Sequence, residues 1–150
     1  MDLKKDKYII IELIPTKIKD GDIIELSALK IQGLKLLDRF NYRLNIDKIL
    51  LEDFRKLIDY DISQFSYANS KEEILEEFKK WNDGLPLLII DNSYTENYLR
   101  ELNNPRESIF KYLDCTYHDL IIEELIKKYN IEPTNYIVDV LYECLLKHTK

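Results

Sequence analysis

The chain of 150 residues is 45% hydrophobic and carries 22 lysines and arginines against 28 aspartates and glutamates, for a formal charge of −6 and a pI near 5.0. This length fits a single domain spanning residues 1–150, able to remove roughly two thirds of its unfolded surface from water. The acidic balance argues against broad, nonspecific binding to nucleic acid or anionic membrane, which need a positive field, and leaves only a local basic groove for such a ligand.

Tyr8 to Ile14 has the pattern of a strand apolar on both faces, suited to the middle of a covered sheet, with Glu12 as its exception. An acid in that setting either reaches solvent at an exposed strand end or finds a partner. Ile23 to Ile31 makes a second strand, a turn at Gln32 and Gly33 reverses the chain, and Leu36 to Leu44 makes a third in which Phe40, Tyr42 and Leu44 alternate with Asn41 and Arg43. Together the three predict an antiparallel meander. From Asp47 to Tyr60 the apolar spacing fits one helix or two short ones.

Ser70 and Glu73 have capping-box spacing, and Ile74, Leu75, Phe78 and Trp81 then recur at helical intervals until the stop at Asp83 and Gly84. Leu87 to Asp91 is a short buried strand, followed by a helix over Tyr94 to Leu102. Ile109 to Cys115 is a weaker fifth strand. Thr116 and Asp119 repeat the capping pattern before Leu120, Ile121, Leu125 and Ile126, and a last helix follows Pro133 with Ile137, Val138, Leu141 and Leu145 on one face. The order of elements gives an α/β layered domain.

Nothing at the N-terminus has the form of a signal peptide, and apolar runs such as Leu87 to Ile90 are far shorter than the roughly 20 residues that span a bilayer. Cys115 and Cys144 form no CxxC pair and are too few for a disulfide scaffold, so each is expected to be a small buried hydrophobe in a reducing compartment. The expectation is a cytoplasmic protein with no membrane association.

Over residues 8 to 148 a set of strings in fixed order carries a family resemblance. YIIIELIPTK is similar to an apolar run leading into Asp-x-Glu-Thr, and DIIELSALKI to the strand after it. FSYANSKEEILEEFKKWNDGLPLLIIDNS resembles the long helix and strand that lead to a His-Asn-Ala-x-Phe-Asp motif, and YLDCTYHDLIIEELIKKYNIEP the Asp-Thr segment and helix beyond it. TNYIVDVLYECLL resembles a terminal His-x-Ala-x-x-Asp-Ala helix. In this order the strings resemble the DEDD-type 3′-5′ exonucleases of the DnaQ-like group. The resemblance implies a ribonuclease-H-like mixed five-stranded sheet, with the first strand central, the first three strands antiparallel, and helices flanking it.

In that family, the resemblance implies, four carboxylates hold two Mg²⁺ or Mn²⁺ ions that activate water and stabilise the leaving oxygen of a phosphodiester, while a histidine or tyrosine assists the attacking water. The first motif's pair of acids, brought to one strand face by period-two alternation, falls here on Glu12 and Ile14. Glu12 keeps an acid with one more methylene; Ile14 keeps no oxygen. Asp91 and Asn92 fall on the His-Asn positions and Glu96 on the aspartate, with Asp91 as a candidate substitute ligand. Glu96 also stands three residues after Ser93, a capping-box spacing that needs no metal. Asp139 falls on the last aspartate and Thr134 on the histidine, while Tyr136 is one residue out of place for the family's tyrosine variant. Asp139 also fits an ordinary polar helix face with Tyr142 and Glu143.

The resemblance therefore implies a degenerate active site built on Glu12, Glu96 and Asp139. Two functional classes follow: a metal-dependent 3′-5′ exonuclease acting on DNA or RNA ends with Mg²⁺ or Mn²⁺, or a noncatalytic relative retained to hold a nucleic-acid end, a second copy of itself or another protein. Loss of one carboxylate and of the general base favours impaired catalysis. Other constellations are weaker. His118 and His148 have no metal-ligand spacing, no Gly-x-Ser-x-Gly or phosphate-cradling glycine loop occurs, and Lys17 and Lys19 are either exposed lysines or phosphate contacts beside the site.

Overall fold

The computed structural model describes residues 1–15, 23–43, 71–90, 95–96, 99–113, 122–132 and 137–149. The expected helix over 47–60, the caps at Ser70 and Thr116, and Lys17, Lys19, Asp91, Asn92, Ser93, Cys115, His118, Thr134 and Tyr136 lie outside them.

Five strands form one sheet: β1 (Lys7–Pro15), β2 (Ile23–Gln32), β3 (Lys35–Arg43), β4 (Leu87–Ile89) and β5 (Arg106–Ser108), in the order β3-β2-β1-β4-β5. β1 is central. It pairs antiparallel with β2 and parallel with β4, and β2 pairs antiparallel with β3, so the first three strands make the expected meander. Three described helices flank the sheet: α1 (Lys71–Trp81), α2 (Ile122–Tyr129) and α3 (Ile137–His148).

The two-sided apolar pattern of β1 builds two cores. Tyr8 and Ile10 join Leu29, Ile31 and Leu88 under Leu125 of α2 and Val138, Leu141, Cys144 and Leu145 of α3. Ile9, Ile11 and Leu13 face the other way, against Leu26, Ala28 and Phe40 and under Ile74 and Phe78 of α1, with Leu99 and Leu102 in the same cluster. Each such side chain, taken fully out of water, contributes roughly 1.5–3 kcal/mol, which is why a strand this apolar settles at the middle of the sheet. Among the described residues no helix is long and apolar enough to cross a membrane.

The β2-β3 hairpin turns on Gly33 and Leu34, both at positive φ (57° and 71°), the backbone of a tight two-residue turn. Gly33 has a second constraint, because a Cβ there would stand 2.9 Å from the carbonyl oxygen of Lys4. The Tyr142 hydroxyl of α3 donates to the Leu34 carbonyl at 2.8 Å and ties helix to hairpin. At the end of α2, Asn130 takes a positive φ of 54° and the Ile131 amide donates back to the Ile126 carbonyl, the closing pattern of a left-handed helix cap.

Two expectations need correction. The fifth strand is Arg106–Ser108 rather than Ile109 to Cys115; Ile109–Lys111 forms a 3₁₀ turn capped by Ser108, whose Oγ accepts from the Phe110 amide. The pairing strand lies at the sheet edge and is only half-buried, so its side chains are polar, while the apolar Ile109 and Leu113 enter the core from the segment after it. β4 ends at Ile89, short of Asp91.

Candidate active site

Glu12 lies in β1 with Ser27 as its β2 partner, and Ser27 in turn faces Asn41 of β3. Cross-strand partners share a face, and alternation puts Glu12 on the side of Tyr8 and Ile10, the side covered by α2 and α3. This row is polar on all three strands, and the Ser27 hydroxyl donates to Asn41 Oδ1 at 2.9 Å. The parallel register with β4 pairs Ile9 with Leu87 and Ile10 with Leu88, so its continuation brings Glu12 level with Ile90, where β4 has just ended. Glu12 thus stands just past the carboxyl end of β4, on the side of the sheet's parallel pair where open α/β sheets hold ligands.

The exposed-edge reading of Glu12 is excluded, for it is 8% exposed and lies in the central strand. Burial alone pushes its carboxyl up to about 8, so it carries a proton through much of the neutral range. Among the described residues its carboxylate meets no hydrogen-bond or ion-pair partner. The backbone of Ile14 pairs with Glu25 two residues further along the strand.

Asp139 occupies the first turn of α3, where an acid is favoured by the helix dipole. Arg39 of β3 holds it bidentately, Nη2 to Oδ1 at 2.6 Å and Nη1 to Oδ2 at 3.2 Å. Arg39 faces Leu29, which faces Ile10, so Asp139 and Glu12 lie over the same sheet face, with Arg39 and Glu12 two strand spacings and two residues apart, roughly 12 Å between their backbones. Glu96 is a helical residue after β4, exposed, with its Oε2 3.6 Å from Arg106 Nη1. Arg106 also donates to the carbonyls of Leu99 and Leu102, so the same guanidinium anchors the segment that carries Glu96.

The structure therefore brings two of the sequence-derived acids to one face and turns the third towards β5. Among the described residues no three His, Cys, Asp or Glu side chains form a group that could hold a metal ion. Sequence reasoning missed Arg39, Ser27 and Asn41. Arg39 and Asn41 carry a faint signal, two polar residues at period two, but that pattern in a hairpin strand equally marks a solvated face.

No protein-family model matches the chain. It is 25% identical over 149 residues to the PolC-type DNA polymerase III of Staphylococcus saprophyticus, and to that of Staphylococcus haemolyticus to the same extent; each alignment covers 90% of this chain and 10% of the relative. The chain thus spans about a tenth of the length of the curated relatives it matches. Among solved structures it is similar to a 3′-exonuclease that recognises the 3′ end of a histone mRNA stem-loop, with a TM-score of 0.67 and 14% identity over 97% of this chain and 80% of the other. Exonuclease X in complex with 5′-overhanging duplex DNA gives 0.67 at 11% identity over 93% and 89%, and exonuclease I with bound product gives 0.66 at 9% over 95% and 42%. Such identities speak to fold alone, and at that level the expectation holds: the chain has the mixed five-stranded, ribonuclease-H-like fold that these solved exonuclease structures share.

Proposed function

We infer that this chain is a DnaQ-like 3′-5′ exonuclease-family domain with an eroded metal site, impaired in catalysis and retained to hold a nucleic-acid end or a protein partner in the cytoplasm. Its site residues are Glu12, Glu96 and Asp139, with Asp91 as a further ligand. Bound Mg²⁺ or Mn²⁺ would supply activated water and charge stabilisation of the leaving oxygen. The observation that carries the reading is the state of Asp139, both of whose oxygens are taken by Arg39. Two further features support it: Glu96 turns towards Arg106, and Ile14 brings no oxygen to the strand. The donor set, as the described residues hold it, does not fit a two-metal centre.

A second reading, an active metal-dependent exonuclease, draws on Glu12. A buried carboxylate raised by desolvation is also what a cation site looks like before its cation arrives. Fluorescence anisotropy of 3′-labelled single-stranded DNA and RNA, read in chelator and in Mn²⁺, separates the two. The eroded-site reading expects binding that persists in chelator with the oligonucleotide intact, or a metal-independent complex with itself or a partner by light scattering. Binding that requires Mn²⁺ and ends in shortened product would favour the second.

A further inference from the structure

Asp139 and Arg39 come from opposite ends of the chain, 100 residues apart, yet meet through a matched fork of two hydrogen bonds on one sheet face. A guanidinium seated this way uses both carboxylate oxygens and stays charged at any physiological pH, so protons do not release it. Those two oxygens are also what a hard divalent cation would need from Asp139. The pair is partly shielded, with Arg39 40% and Asp139 20% exposed, and therefore remains within reach of an ion from solvent. The neighbouring row of the same face is the polar one of Glu12, Ser27 and Asn41.

We propose that Arg39 is a built-in cation that takes the place of a divalent ion at Asp139, so that Asp139 binds metal only when the guanidinium is withdrawn. The proposal rests on Asp139 being a ligand position of the exonuclease fold. It makes the described fold independent of metal at this point, because the charge of Asp139 is neutralised from within the chain. It also makes metal binding an exchange between two cations rather than the filling of an open site.

Mn²⁺ titration of the full chain, followed by electron paramagnetic resonance of the free ion, tests this on wild type, Arg39→Gln, Arg39→Lys and Arg39→Gln/Asp139→Asn, with melting curves to establish that each folds. Arg39→Gln should tighten Mn²⁺ binding by about tenfold or more, and adding Asp139→Asn should abolish the gain. Arg39→Lys, which keeps the charge and loses the fork, should fall between and serves alone if Arg39→Gln does not fold. A folded Arg39 variant whose affinity stays within about twofold of wild type, or a gain that survives Asp139→Asn, would overturn the proposal. Adding Glu12→Gln to Arg39→Gln separates it from the reading beneath it. A gain that needs Asp139 but is indifferent to Glu12 upholds the exchange at Arg39 and removes Glu12, not Asp139, from the proposed ligand set.

Discussion

Lys30 and Glu12 are each 8% exposed and lie on adjacent strands, yet the two faces of the sheet treat them differently. On the α1 face the Lys30 ammonium donates to the Trp81 carbonyl at 2.6 Å and to Asp83 at 3.0 Å, and lies 4.4 Å from the centre of the Trp81 ring. Trp81 in turn donates its indole N–H to Asp38, and that bond, with the amide of Arg39, holds the Asp38 carboxyl below its usual range. Phe40, Phe78 and Trp81 cluster on the same face with ring centroids 5.4 to 6.0 Å apart. On the α3 face Glu12 is as deeply buried without such partners among the described residues, and its carboxyl rises to about 8. A buried charge whose partners are all in place belongs to the scaffold; a buried acid raised by desolvation, with no partner among the described residues, is a candidate for a role besides stability.

The comparison can be broken from either side, and the largest effect lies on the scaffold face. Phe78→Ala should lower unfolding free energy by about 3–5 kcal/mol, read by urea titration, since it empties the ring's place between Ile74 and Phe40. A loss under about 1 kcal/mol would mean that the α1 face is not the packed core described here.

Glu12→Gln should act in the opposite direction. The folded-state carboxyl is raised above its unfolded value, so its favourable contribution is complete below about pH 4.3 and is lost as pH rises towards and through about 8. In metal-free buffer the wild type should therefore weaken across that window by something on the order of a few kcal/mol, and Glu12→Gln should flatten the slope and be the more stable protein near pH 8. Parallel pH profiles in the two proteins would place the charge of Glu12 among unrecognised partners.

Smaller effects sharpen the contrast. Tyr142→Phe removes the hydroxyl bonded to Leu34 and should cost about 0.5–1.5 kcal/mol, with melting temperature as the readout. Tyr8→Phe should be neutral or slightly stabilising, because the buried Tyr8 hydroxyl has no hydrogen-bond partner among the described residues, and burial, then the proximity of Tyr142, pushes it up to about 12. A clear loss of stability in Tyr8→Phe would reveal a partner for that hydroxyl.

Much of the fold was legible because it is written in local period. The two-sided apolar run of β1, the alternation of β3 and the helical spacing of Ile74, Phe78 and Trp81 each name an element and the faces it buries. β5 was misplaced because an edge strand of three polar residues has no hydrophobic period, whereas the apolar residues beyond it do. At the site, Glu12 was legible as an acid inside an apolar strand. Arg39 was not, since its meaning depends on a carboxylate 100 residues away, and an arginine on an alternating strand is indistinguishable by spacing from one that faces water.

The central claim, an exonuclease fold whose metal chemistry is eroded, is tested most directly by degradation of 3′-end-labelled DNA and RNA in Mg²⁺ and in Mn²⁺ by wild type, Glu12→Ala and Asp139→Ala. The account expects little or no processive shortening by the wild type in either metal, and no difference between it and the two variants. Robust metal-dependent shortening that disappears in both Glu12→Ala and Asp139→Ala would contradict it.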